Sequence, residues 1–170
     1  MGLDIPADFS GECVIFAAGT GILPFVDLLD FLLKKSIYIL FKKKRMQNEK
    51  YQVKPVQDYT QFYPGAKFKL FAAFKSLEDF VGYNWIEKLY EINEEYSLGI
   101  FDCLVRFSDK SEMEVPMTSF YYDEEFVKRN ILRADNPVDK VIVCGPPKFM
   151  EEITQSCLSQ GFPSSKIHYI

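Results

Sequence analysis

Glu12-Cys-Val-Ile-Phe-Ala-Ala18, followed directly by Gly19-Thr20-Gly21 and then by Pro24, is the stretch that decides the fold. The first seven residues are a short β-prone run that ends in small residues, and Pro24 stands where a helix can begin without losing a needed N–H. Beyond it Phe25, Leu28, Leu29, Leu32 and Leu33 recur at the 3.6-residue period and so share one helix face. The order is strand, glycine turn, helix. The helix is expected to end near Ser36 or to continue toward Phe41.

The same alternation recurs downstream. Residues 67–74 (KFKLFAAF), 100–107 (IFDCLVRF) and 138–144 (VDKVIVC) read as further strands, and 165–170 (SKIHYI) as a last one. Between them lie helical segments over 77–95, broken near Gly82-Tyr83-Asn84, over 123–132 with Asp123 as its cap, and over 148–160 with Gly161 as its stop. Strands that alternate with helices imply an α/β fold with a parallel sheet covered on both faces. Residues 42–50 are polar and lack apolar periodicity, and 51–65 add Pro55, Pro64 and scattered aromatics without a clear pattern, which predicts a surface insertion at about 36–65.

The chain has 170 residues, 48% of them apolar and 26% charged, enough for one ordinary domain with a buried core. Its formal charge is −4 with the acids spread along the chain, which argues against nucleic acid as a partner. The Lys42-Lys43-Lys44-Arg45 run reads as the solvated end of a helix, with a nuclear or membrane-surface patch as the alternative. Cys13, Cys103, Cys144 and Cys157 form no C-x-x-C pair, and His168 has no ligand-type neighbours, so four free thiols and no metal site are expected. The apolar stretch 22–41 is interrupted by Asp27, Asp30, Lys34 and Lys35, whose cost in a bilayer is about 2.5–3.5 kcal/mol each. A buried helix is expected there, and a cytoplasmic setting or the cytosolic face of a membrane.

Two strand ends carry the candidate chemistry. In a doubly wound sheet, ligands bind outside the carboxyl ends of the strands, where helix N-termini offer free N–H groups to anions. Gly19, Thr20 and Gly21 leave room for a backbone to approach a pyrophosphate, with the Thr20 hydroxyl as a donor; a tight turn with no ligand gives the same pattern. Cys144-Gly145-Pro146-Pro147 makes a rigid, small-residue floor for a flat ring, or simply a strand stop beside a buried cysteine.

Together, G-T-G-x-x-P near the start and C-G-P-P with Met150 three residues on resemble the NAD(P)-binding module of the ferredoxin-NADP reductase superfamily, which includes the cytochrome b5 reductases. The resemblance covers roughly residues 2–33 and 67–170. It departs at Ala18, where a glycine is frequent, and at Leu23, where a small or hydroxyl residue is common.

The resemblance implies a Rossmann-like, three-layer α/β sandwich whose five-stranded parallel sheet has the order 3-2-1-4-5, spanning residues 1–170 as a single NAD(P)-binding domain. It implies that Gly19, Thr20, Gly21 and Pro24 hold the pyrophosphate and the nicotinamide side, that Cys144, Gly145, Pro146, Pro147 and Met150 pack beside the nicotinamide, and that Phe74 and Lys75 lie near the adenosine phosphates. Ser108 and Asp109 would read the 2′ position, with Asp109 favouring NADH over NADPH. Cys144 would position the nicotinamide and would not act as a nucleophile. The implied function is hydride transfer from NADH or NADPH to a flavin, FAD, held by a domain absent here or by a partner subunit, so that the chain alone is expected to be colourless and inactive. A non-catalytic module for assembly or nucleotide sensing is the alternative the residues leave open.

Overall fold

The computed structural model describes residues 3, 5–46, 58–108, 124–131 and 137–170. Five strands, β1 (Glu12–Ala18), β2 (Lys67–Phe74), β3 (Phe101–Phe107), β4 (Val138–Cys144) and β5 (Ile167–Tyr169), alternate with helices α1 (Val26–Met46), α2 (Tyr83–Glu95), α3 (Glu124–Asn130) and α4 (Pro147–Ser159). The sheet has the order β3-β2-β1-β4-β5, with every pairing parallel. This is the three-layer α/β architecture and strand order expected from the sequence.

β1 lies at the centre, and all seven of its residues are buried. Side chains alternate across a strand, so Cys13, Ile15 and Ala17 enter one core with Leu28, Leu29 and Leu32 of α1 and Ile86 and Leu89 of α2. Val14 and Phe16 enter the other, with Phe126 of α3 and Ile153 and Cys157 of α4. There Phe16 stacks on Phe71 at 5.1 Å between centroids, and the Phe126 ring meets Phe71 edge-on at 4.6 Å. Burying a phenylalanine in such a cluster contributes about 1.5–3 kcal/mol.

Three sequence expectations need correction. Pro24 does not open the first helix: residues Gly19–Phe25 form a 3-10 turn that contains it, and α1 starts at Val26. Nor does the helix end near Ser36 or Phe41; it runs to Met46, so residues 36–46 of the expected insertion are helical. The polar residues that suggested an end are satisfied across space. Lys35 Nζ donates to the carbonyls of Phe62 and Tyr63 at 2.9 and 2.7 Å, while Ser36 Oγ accepts from Asn93 Nδ2 at 3.2 Å. The returning segment is also held by Phe31, whose ring meets those of Tyr59, Phe62 and Tyr63 at 5.5–5.8 Å. Residues 47–57 lie outside the described residues. Third, β5 is shorter than 165–170, because Ser164–Lys166 coil into a 3-10 turn.

The remaining helix ends follow their local chemistry. α2 begins at Tyr83 after Gly82, which takes a left-handed φ of 81°. α4 stops where Gly161 N donates to Leu158 O and Phe162 N to Cys157 O, a paired closure that satisfies the last carbonyls. Asp123, the expected cap of α3, lies outside the described residues. The four cysteines are free and buried. No helix among the described residues is long and apolar enough to cross a membrane.

Candidate functional site

Strand order reverses between β1 and β4, and the carboxyl ends of both strands lie side by side there through the Ala17–Cys144 pair. In this class of sheet such a reversal opens a crevice for ligands. Gly19, Thr20, Gly21 and Pro24 leave one side of it; Cys144, Gly145, Pro146 and Pro147 leave the other. The structure therefore brings together two segments more than a hundred residues apart in sequence.

The glycines divide their roles. Gly19 has φ 54°, and a Cβ built on it meets nothing within 4 Å, so its backbone faces open space. Gly21 faces protein: a Cβ there would lie 2.4 Å from the carbonyl oxygen of Cys144 and 2.9 Å from Cα of Gly145. A Cβ on Gly145 would in turn lie 3.0 Å from Cβ of Ala18 and 2.9 Å from Cδ1 of Phe149. Thr20 and Pro24 are exposed.

Cys144 is buried, and burial raises its thiol above the ordinary value, so it is protonated and weakly nucleophilic near neutral pH. Its chemistry suits packing. Pro146 caps α4 from outside and Pro147 occupies the first helical position, both exposed. Met150 N donates to Pro146 O at 3.1 Å, and the Met150 side chain is half-buried. The opening turn of α4 carries amide groups with no earlier carbonyl in the helix, and a helix dipole whose positive end favours anions.

Across the sheet, Ser108 N donates to Phe74 O at 2.9 Å, which ties the ends of β3 and β2 together. The Phe74 ring is buried and stacks on Phe80 at 4.2 Å, so its side chain belongs to the core. Lys75 and Ser108 are exposed. Asp109 lies outside the described residues.

Sequence reasoning did not foresee Ala18 as a partner of Gly145, and no local signal could have revealed a contact between residues so distant in the chain. At the sheet edge, the Thr154 hydroxyl donates to Met150 O at 2.7 Å, leaving its lone pairs to the Tyr169 hydroxyl at 3.1 Å. The Tyr169 side chain, 54% exposed, thus leans on α4.

No protein-family model matches the chain, nor does any curated protein. Solved structures do. The CS-b5R domains of human Ncb5or in the NAD+ form superpose with a TM-score of 0.63 at 20% identity, covering 94% of this chain and 36% of that one. The cytochrome b5 reductase domain of Ulva prolifera nitrate reductase gives 0.60 at 15% identity, covering 94% and 49%. The H286L mutant of ferredoxin-NADP+ reductase from Plasmodium falciparum, with 2′P-AMP, gives 0.53 at 18% identity, covering 96% and 53%. The chain thus spans between about a third and a half of the structures it matches. The chain shares its fold, a Rossmann-like α/β sandwich around a five-stranded parallel sheet, with these reductase structures.

Proposed function

We propose that this chain is the NAD(P)H-binding module of a flavin-dependent oxidoreductase, placing nicotinamide for hydride transfer to a flavin held by another domain or subunit. One observation carries the reading: at the point where strand order reverses, Gly19 presents open backbone on one side while Cys144-Gly145-Pro146-Pro147 makes a rigid floor on the other. The residues present fit a dinucleotide. Gly19 leaves room for a pyrophosphate to approach its backbone, and the exposed Thr20 hydroxyl is a donor for a phosphate oxygen. Exposed Lys75 and Ser108 lie at the ends of β2 and β3, where the adenosine phosphates would reach.

When bound, the nicotinamide supplies the hydride. The chain's own part is placement: Cys144 fills the floor as a neutral thiol, and the two prolines hold the turn at low entropic cost.

The test is titration with NADH and with NADPH, followed by calorimetry and thermal unfolding. Saturable binding is expected for at least one, with stabilisation of about 2.7 kcal/mol at a hundredfold excess over Kd. Absence of binding and of any thermal shift with both, at millimolar concentration, would end this reading.

A further inference from the structure

The two glycines of Gly19-Thr20-Gly21 do different work. Gly19 borders empty space, whereas Gly21 receives the backbone of the Cys144–Gly145 turn where its own side chain would stand. That turn is gripped from a second direction, since Gly145 sits against Cβ of Ala18. Sheet pairing alone does not fix it: the hydrogen-bonded register of β1 with β4 ends at Ala17–Cys144, and Gly145 has already left the ladder. Beyond that pair, packing sets where the turn lies.

The geometry points to a steric interlock in which Ala18, Gly21 and Gly145 are positioning residues that set the Cys144–Pro147 floor relative to the first loop, and so place the nicotinamide half of the ligand. The inference rests on the nucleotide reading proposed above. Its magnitude follows from the clearances. The obstacle to a side chain at Gly21 is main chain at 2.4 Å, which does not swing aside, and ordinary contact begins at 3.4 Å, so a methyl there displaces the floor by about 1 Å. A shift of that size takes the floor out of contact with the ring, and in catalysis a misplacement of about 1 Å costs up to about a hundredfold in rate. The adenosine and pyrophosphate contacts, which depend on Gly19 and on the ends of β2 and β3, should be left in place.

The experiment compares NADH and NADPH with the nicotinamide-free probes ADP-ribose and 2′-phospho-ADP-ribose, using the 170-residue chain. For Gly21→Ala, the Kd of the reduced dinucleotide should rise until it equals that of the matching nicotinamide-free probe. The matching nicotinamide-free probe should bind within about twofold of wild type, and the change in dihydronicotinamide fluorescence on binding should disappear. Gly19→Ala should weaken both probes together. Equal losses for both probes in Gly21→Ala, or no loss for either, would overturn the interlock.

Should Gly21→Ala fail to fold, Gly145→Ala takes its place. There a Cβ would lie 2.9 Å from Cδ1 of Phe149 and 3.0 Å from Cβ of Ala18, so the variant should weaken the dinucleotide while the matching nicotinamide-free probe stays within about twofold of wild type. Equal losses for both probes in Gly145→Ala would overturn the proposal. Wild type that binds ADP-ribose as tightly as NADH would refute the interlock's role while leaving the nucleotide reading intact. Wild type that binds none of the probes refutes both.

Discussion

The two ends of the sheet are held together in different ways. At the amino ends of the strands, long side chains reach across and satisfy backbone groups. Asn93 Oδ1 accepts from Ile100 N and Phe101 N at 3.1 Å each, while its Nδ2 donates to Leu89 O and Ser36 Oγ. Glu12 N donates to Asp139 Oδ2 at 3.1 Å, and Lys35 holds two carbonyls. At the carboxyl ends of β1 and β4, small residues and prolines let main chain pack on main chain at distances no side chain would allow. Side chains lock one end and their absence shapes the other, which leaves surface at the second end for a ligand. Stability and binding should therefore separate under mutation.

The largest effect should come from the locked end. Asn93→Leu leaves two buried amides without an acceptor, each worth about 1–3 kcal/mol, so a loss of about 3 kcal/mol is expected in denaturant titrations. Nucleotide affinity of the folded fraction should stay unchanged; a parallel loss of affinity would show that the two ends are coupled.

A smaller effect separates the ends by pH. Cys13 lies beneath α1, and burial pushes its thiol up to about 12, partly opposed by nearby Lys140, against an ordinary value of 9.0. A group whose folded pKa is raised contributes fully below the unfolded value and loses that contribution as pH rises toward the folded one. Stability should then fall by about 1 kcal/mol per such thiol between pH 9 and 10. Cys13→Ala should flatten that slope, and Cys144→Ala should flatten it less. Equal flattening by both would remove the distinction.

At the ligand end, Gly19→Ala pays for its φ of 54° with about 1 kcal/mol of strain, measurable as a lower Tm, and the variant should keep its near-UV signature. The smallest effect is expected from Tyr169→Phe. It removes one exposed hydrogen bond to Thr154 and should cost no more than about 0.5 kcal/mol. A larger loss would mean that the C-terminal edge is locked like the amino ends.

Much of this was legible in the residues. β2 and β4 span the residues read from the sequence, because the apolar runs Leu70–Phe74 and Val141–Cys144 mark strands covered on both faces, with Lys67, Lys69, Asp139 and Lys140 confined to their amino-terminal halves. α1 was harder: Lys35 and Ser36 look like the start of a surface segment, and only partners 27 and 57 residues away make them buried helix. Asn93 left a usable trace, since it continues the spacing of Ile86 and Leu89 on the buried face of α2. The candidate site was visible as two motifs. That Gly21 turns toward Cys144 and not toward open space was not visible, because the same three letters serve either a ligand or a neighbouring strand.

The position of β1 matters for how the chain is made. Its outer partners are β2 on one side and β4 on the other, and the Glu12–Asp139 contact spans 127 residues. At roughly 5–20 residues per second, the ribosome needs on the order of ten seconds between delivering the central strand and delivering the strand that closes its second edge. During that interval Cys13 to Ala18 present an unpaired, apolar edge to whatever else is in solution, which is the condition under which nascent chains mispair. A chaperone that holds this segment until Val138 emerges would raise the yield of native protein without touching the finished molecule.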